Sequence, residues 1–245
     1  MPKLRTTALI PARSGSKRIL NKNIKKLNGH PLLAYTISAA INSDIFDSVI
    51  VSTDSEKYKN IAESYGAIVS LRPKEYSGDN SPDINWVTHV LNELSEKGQE
   101  YDLFSILRPT SPFRMPETIK RAFNEFLKSK NVDSIRAVEL CTQHPAKIWS
   151  IKNGLLMPIL NGKNNDVPWH SCQYTSLPTL YSQNASLEIS WTKNVKNNKS
   201  ISGNRIMPFF TRGYEGVDLN HPYDWEYVNH LLNCKLAKLP RINMA

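Results

Sequence analysis

The chain has 245 residues, with 31 Lys and Arg against 22 Asp and Glu, and a formal net charge of +9. That length is enough for one substantial α/β domain without disulfide staples, and the cationic excess points to an anionic partner without choosing among nucleic acid, membrane surface and small polyanion. No run approaches the roughly 18 apolar residues of a membrane span, and the opening MPKLRTTALIPAR lacks the apolar stretch of a secretion signal, so a cytoplasmic protein is expected.

Short apolar runs alternate with helical patterns, as in βαβ units around a mostly parallel sheet. A first strand closes at residues 8–11, and Pro31–Ile41 reads as a helix. SVIVST, 48–53, is a second strand; Asp54 is expected to cap the helix that follows, and Gly66 to stop it. A short strand over 67–71 precedes Ile84, Val87, Leu91 and Leu94, which recur at helical spacing before Gly98. Leu103–Leu107 is again a strand, and Pro116 opens a helix with Ile119, Phe123, Phe126 and Leu127 on one face. A strand over 132–140 closes this first block.

After Cys141 the pattern changes. Residues 148–160 read as a hairpin turning at Asn153-Gly154, and 161–182 as loop. Strands are expected over 186–191 and 206–211 and a closing helix over 222–236, with TKNVKNNKS as a solvated turn or short helix. Cys141, Cys172 and Cys234 are odd in number and far apart, which reads as reduced thiols and not a disulfide or zinc framework.

In an open parallel sheet, ligands gather beyond the carboxyl ends of the strands. The segments expected there are RSGSKRILNKN, TDS, RPKEYSGDN, RPTSPFR and QHPAK, all polar, and four of these five carry Arg or Lys. The first is neither a Walker A sequence nor a dinucleotide fingerprint, because Gly15 is its single glycine. Cationic side chains must therefore replace a cradle of backbone amides. Arg13 has the fork to grip a phosphate, while Lys17 and Lys22 supply point charges.

IPARSGSKRILNKN, LNGHPLLAYTI, VIVSTDS, LRPKEYSGDNSP and LRPTSPFR, in this order, resemble the cytidylyltransferases that activate N-acylneuraminate and related 3-deoxy-2-ketoaldonic acids. The likeness is close over residues 8 to 147 and resumes more loosely at 205–236. It implies a three-layer, Rossmann-like α/β nucleotidyltransferase fold as a single domain, with a small dimerisation insertion at 148–182. It also implies Mg²⁺-dependent transfer of CMP from CTP to an acidic sugar by a homodimer. Under the same resemblance Arg13, Ser16, Lys17, Lys22 and Asn23 hold the triphosphate, Arg72 and Asp79 surround base and ribose, and Pro11 and Ala12 also fall on nucleotide-binding positions.

The family's sugar side falls on Arg108, Thr110, Ser111, His144, Lys147 and Asn184. Neuraminate-activating members commonly have Gln where this chain has Arg108, which leaves Arg108 as a carboxylate ligand or a space-filling stem. The family's I-D-I-D segment, whose two aspartates hold Mg²⁺, is here VDLN: Asp218 keeps the first carboxylate and Asn220 replaces the second. In the segment around Asn184, Ser182 and Ala185 stand where those members have Arg and Gly. These departures leave two alternatives open: a catalytically weakened nucleotide or sugar-nucleotide binder, and transfer with another NTP or sugar. Nucleic acid is disfavoured, because no RNA-reading aromatic motif is present.

Overall fold

The computed structural model describes residues 3–242. They form two compact units, one from residues up to Ala137 together with those from Asn184 onward, the other Val138–Gln183.

In the first unit, strand β1 (Thr6–Pro11) leads through a turn of 3₁₀ helix, Lys22–Ile24, to a two-residue hairpin of β2 (Lys26–Leu27) and β3 (His30–Pro31). Helix α1 (Leu32–Asn42) follows, then β4 (Ser48–Thr53), α2 (Glu56–Ser64) and β5 (Ile68–Leu71). Next come α3 (Asp83–Glu96), β6 (Leu103–Ile106), α4 (Pro116–Lys128) and β7 (Ser134–Leu140), which runs on into the second unit.

The second unit begins with the expected hairpin, β8 (Trp149–Lys152) paired antiparallel with β9 (Leu155–Pro158). Asn153 and Gly154 both have positive φ, 51° and 77°, as a type I′ turn requires. The stretch expected as loop holds a second tight hairpin, β10 (Lys163–Asn164) with β11 (Val167–Pro168). Asn165 and Asp166 take positive φ there, so an Asn-Asp pair performs the turn that a glycine signal would have announced. A Cβ at Gly162 would meet the Trp169 ring at 2.4 Å, so only glycine fits beneath that indole. Ile151, Leu155, Leu156 and Ile159 are each more than half exposed.

Strand β12 (Tyr181–Trp191) returns the chain to the first unit, followed by α5 (Thr192–Asn198), β13 (Ile206–Phe210) and α6 (Pro222–Asn233). β12 begins earlier than its apolar half predicts. α5 is the short helix of the Asn/Lys-rich tract.

The seven-stranded sheet has the order β13-β7-β12-β6-β1-β4-β5. β5, β4, β1 and β6 run parallel, with Leu9 in register with Ile50 on one side and Ile106 on the other; β12 is antiparallel to β6. Successive side chains of a strand face opposite ways, and the core divides accordingly. Ala8 and Ile10 pack with Leu33, Ile37, Ile119, Phe123 and Phe126 from α1 and α4, while Leu9 packs with Ile50, Phe104, Val87, Val90 and Val195 toward α3 and α5. These are the three layers expected. A further cluster joins Ile19, Leu32 and Phe113 to Leu219, Trp225 and Val228, fastening α6 beside the first loop.

Two expectations need correction. Leu127 is half exposed, because the buried face of α4 is carried by Ile119, Ala122, Phe123 and Phe126 at spacings of three and four. Asp54 does not cap α2. Ser55 does, its hydroxyl accepting the Tyr58 N–H at 3.4 Å, because the helix starts one residue later than the sequence suggested and the cap moves with it. Gly66 follows the C-cap Tyr65 at φ 86°. No helix among the described residues is long and apolar enough to cross a membrane.

Candidate active site

β4 and β5 extend the sheet to one side of β1 and β6 to the other, so the order of strands reverses beside β1. Loops after β1 and β6 diverge at such a point and leave a crevice at the carboxyl edge. A cavity of ≈ 340 Å³ lies there, lined by the loops after β1, β5 and β6, the start of α3, Ala185 of β12, and the segment before α6. Of the residues singled out from sequence, Pro11, Arg13, Ser16, Lys17, Lys22 and Asn23 line it from the first loop. Arg72, Asp79, Arg108, Thr110, Asp218 and Asn220 line it from elsewhere in the unit.

The first loop is held at three points. Asp54 accepts the Ser14 N–H at 2.8 Å and its hydroxyl at 3.1 Å. The buried amide of Asn23 donates to the Arg13 carbonyl at 3.1 Å, and Lys22 Nζ donates to the Leu219 carbonyl at 2.6 Å. A Cβ on Gly15 would meet open space and Gly15 has no positive φ, so the loop does not use glycine for close approach. The loop presents side-chain charge. Asp79 takes up part of it, with Oδ1 2.6 Å from Arg13 and Oδ2 2.5 Å from Lys17. Those hydrogen bonds, Lys17 first and then Arg13, hold the exposed Asp79 carboxyl below the usual carboxylate range.

Asp54 is thus a positioning residue that sequence reasoning spent on a helix cap. Asp54→Ala leaves the Ser14 amide without its acceptor, and the affinity of the cleft for an anionic ligand is expected to fall about tenfold. Ser55→Ala is expected to cost about 1 kcal/mol of stability and leave that affinity unchanged. Ligand titration and denaturant midpoints separate the two outcomes.

Burial pushes the Lys22 ammonium below its ordinary 10.5, and Asp218 pulls it back up. Asp218 presents Oδ1 buried with no hydrogen-bond partner, while Oδ2 accepts from the Asn220 amide at 2.5 Å. Asp224 occupies its own carboxylate by accepting the Asn220 and His221 N–H groups in the capping box of α6. Arg72 is buried, donates to Ser52 Oγ at 3.2 Å and the Ser52 carbonyl at 3.3 Å, and lies 5.0 Å from the Trp86 ring centroid. Burial brings its guanidinium down to about 10, against the opposing pull of Asp54 and Asp83. It remains a cation at neutral pH.

Five of the singled-out residues do not line this cavity. Ala12 is buried beneath the loop, its N–H donating to the Ser52 carbonyl at 2.9 Å, and the Ser111 hydroxyl is buried without a partner. Asn184 donates to Thr211 Oγ1 at 2.9 Å and accepts the Ser186 N–H at 3.2 Å. His144 and Lys147 belong to the second unit. The His144 ring is buried, with Nε2 2.9 Å from the Pro178 carbonyl and Nδ1 accepting the Ala146 N–H. Lys147 Nζ donates to the carbonyls of His170 and Cys172.

Sequence reasoning missed Asp83 and Trp86, both of which line the cavity. Trp86 Nε1 donates to Asp83 Oδ1 at 2.8 Å. A Pro-Asp pair opening a helix, with Trp three residues on, was the available signal. The apolar stripe of α3 is the stronger pattern in that stretch and masks it.

Residues 7–203 match the family model described as Cytidylyltransferase. The chain is 34% identical over 232 residues to a CMP-N,N'-diacetyllegionaminic acid synthase of Legionella pneumophila, covering 94% of this chain and 97% of that protein. It is 51% identical over 107 residues to an N-acylneuraminate cytidylyltransferase of Escherichia coli, covering 44% of this chain and 25% of that one. A solved structure of a CMP:2-keto-3-deoxy-manno-octonic acid synthetase complexed with CTP superimposes with a TM-score of 0.68 at 13% identity, over 94% of this chain and 99% of that chain. At that identity the superposition speaks for the fold, a Rossmann-like nucleotidyltransferase. On the family model and the full-length relative together, this chain belongs to the cytidylyltransferase family.

Proposed function

We propose that this cytidylyltransferase activates an acidic 3-deoxy-2-keto sugar of the nonulosonic type by transferring CMP to it from CTP. The observation that carries the reading is one cleft in which Arg13, Lys17, Lys22 and Arg72 converge beside an Asp218 oxygen that has no partner. The near full-length relative that acts on a diacetyllegionaminic acid supports the sugar class.

The sugar's anomeric hydroxyl attacks the α-phosphorus of CTP. A new O–P bond forms, the α–β phosphoanhydride breaks, pyrophosphate leaves, and the hydroxyl proton passes to solvent. Such a transfer needs position and charge neutralisation more than a protein nucleophile. Arg13, Lys17 and Lys22, with Ser16 and Asn23, take the triphosphate, which displaces Asp79 from Arg13 and Lys17. Arg72 and Asp79 serve the nucleoside side. Thr110 and Ser111, with Asn184, are proposed for the sugar.

The donor set fits a hard cation that shares its ligands with phosphate and water. Among the described residues no three His, Cys, Asp or Glu side chains gather for an all-protein metal site. Mg²⁺ commonly takes one or two carboxylates and completes its shell with phosphate oxygens and water. Asp218 Oδ1, buried and without a hydrogen-bond donor, suits that role, and Asn220 steadies the carboxylate through Oδ2. Bound there, Mg²⁺ would neutralise charge on the phosphates.

The test is pyrophosphate release from CTP and Mg²⁺ with a panel of acidic 3-deoxy-2-keto sugars, alongside thermal shifts with CTP, ATP, GTP and UTP. Turnover with at least one sugar and a preference for CTP are expected. Silence across the panel from folded protein would refute the activity. CTP as substrate also argues for a cytoplasmic reaction.

Ile151 and Leu156, partners across the hairpin, share one of its faces and are each more than half exposed, apolar surface that a partner chain would cover. A homodimer formed through Val138–Gln183 is the proposed assembly. Light scattering at micromolar concentration is expected to give twice the chain mass for the unaltered protein and the chain mass for Ile151→Asp/Leu156→Asp. A monomeric unaltered protein sinks this assembly.

A further inference from the structure

We propose that Arg108 is a positioning residue for the nucleotide, holding the Asp83 carboxylate away from Arg72, and not the ligand of the sugar's carboxylate. The inference rests on the activity proposed above.

The geometry starts from a charge already spent. Arg108 Nη2 lies 2.5 Å from Asp83 Oδ2 and 3.3 Å from Glu188 Oε1, and Arg136 Nη2 lies 3.1 Å from Glu188 Oε2. Glu188 is buried within β12, so its charge depends on these two guanidinium groups. Two cations and two anions balance. A sugar carboxylate on Arg108 would be the third anion on a guanidinium whose charge Asp83 and Glu188 already share, and drawing Arg108 away from Asp83 would leave a half-buried carboxylate without its nearest cation. Burial opposes charge on Asp83 and Arg108, yet Asp83 stays below the usual carboxylate range and Arg108 above its ordinary value, because each stabilises the other's charge.

What Asp83 would do without Arg108 follows from its surroundings. Its Oδ1 is fixed by the Trp86 indole at 2.8 Å, and the Arg72 guanidinium lies over the same indole. Among the described residues Arg72 makes neutral hydrogen bonds only, to Ser52, while Asp83 and Arg72 each stabilise the other's charge across the cleft. Once released from Arg108, Oδ2 has Arg72, held against the same indole, as a neighbouring cation. A carboxylate that takes Arg72 competes with the nucleotide for it. Arg108 therefore keeps Arg72 available.

The experiment measures the Kd of CTP by calorimetry and the KM of each substrate for the unaltered protein, Arg108→Gln, Arg108→Lys, Asp83→Asn and the Arg108→Gln/Asp83→Asn double variant. Arg108→Gln is expected to bind CTP about tenfold more weakly. Arg108→Lys keeps a cation beside Asp83 and should stay within about threefold of the unaltered protein. The double variant removes the competing charge, while the carboxamide that replaces the Asp83 carboxylate can still accept from the indole. Its CTP affinity should therefore return to within about twofold. The sugar KM should change less than about threefold throughout.

Unchanged CTP affinity in Arg108→Gln overturns the inference. So does weakening that persists in the folded double variant, or a tenfold rise in sugar KM with CTP unaffected. Absence of turnover in the unaltered protein would instead sink the proposed activity, and the CTP-binding comparison would still decide the role of Arg108.

Discussion

Asp218→Asn is expected to lower kcat/KM for CTP about 100-fold, a loss of about 2.7 kcal/mol of transition-state stabilisation. The substitution keeps the shape of the side chain and removes the carboxylate, one buried oxygen of it without a hydrogen-bond partner, that is proposed to hold Mg²⁺. A carboxamide oxygen is a weaker ligand for a hard cation, so the half-saturating Mg²⁺ concentration should rise as well. A second consequence concerns Lys22. Its ammonium is lowered by burial and raised by Asp218, so it loses its proton at lower pH than an exposed lysine. The charge proposed to bind phosphate is present below that value and lost above it. The kcat/KM profile for CTP, which reports the free protein, should therefore fall on its alkaline side below pH 10.5. In Asp218→Asn this limb should move lower still, because the raising carboxylate is gone; in Lys22→Arg it should leave the accessible range. Retention of half the activity by Asp218→Asn, or an alkaline limb that ignores Asp218, would count against this arrangement.

The largest effect on stability is expected at a residue outside the cleft. Arg114 is fully buried, donates to the carbonyls of Arg108 and Ser186 and to Thr36 Oγ1, and so ties the loop after β6 to β12 and α1. Burial brings its guanidinium down to about 9, which still leaves it charged at neutral pH. Arg114→Met fills a similar volume but leaves those acceptors in the interior without donors. Each unsatisfied acceptor costs roughly 1–3 kcal/mol, partly offset by no longer burying a charge. A net loss of about 3 kcal/mol is expected, lowering Tm by roughly 6–12 °C in a chain of this size. Chemical denaturation should show the same loss as a lower midpoint at constant slope. A midpoint unchanged within error would mean that Arg114 is a passenger of the fold.

Much of the fold was legible because it rests on local rules. SVIVST and LFSI are buried on both faces and read as continuous apolar strands. Pro116 and Pro222 open helices at positions where a missing N–H costs nothing, and Asn153-Gly154 turns a hairpin. The cations of the first loop were legible too, since charge directly after a core strand is unusual.

Interactions between segments distant in sequence were not legible. Asp54 and Ser14 are 40 positions apart, and Arg108 and Glu188 are 80. Only the folded sheet brings β4 beside β1 and β12 beside β6. A carboxylate inside SLEISW looks like a strand residue facing water until two arginines are found against it. Likewise, which of several equally charged side chains faces a ligand, and which is already paired, depends on distances of a few ångström.

The amino-acid order by itself therefore determined the layered α/β architecture, the family and the cationic loop that lines the cleft, because apolar periodicity and turn chemistry act over a few residues. Only the tertiary structure decided the partners of those charges: Asp54 went to Ser14, Arg108 to Asp83 and Glu188, and one oxygen of Asp218 stayed without a hydrogen bond. Electrostatic pairing acts through space, and the chain brings such groups together only after the sheet has closed.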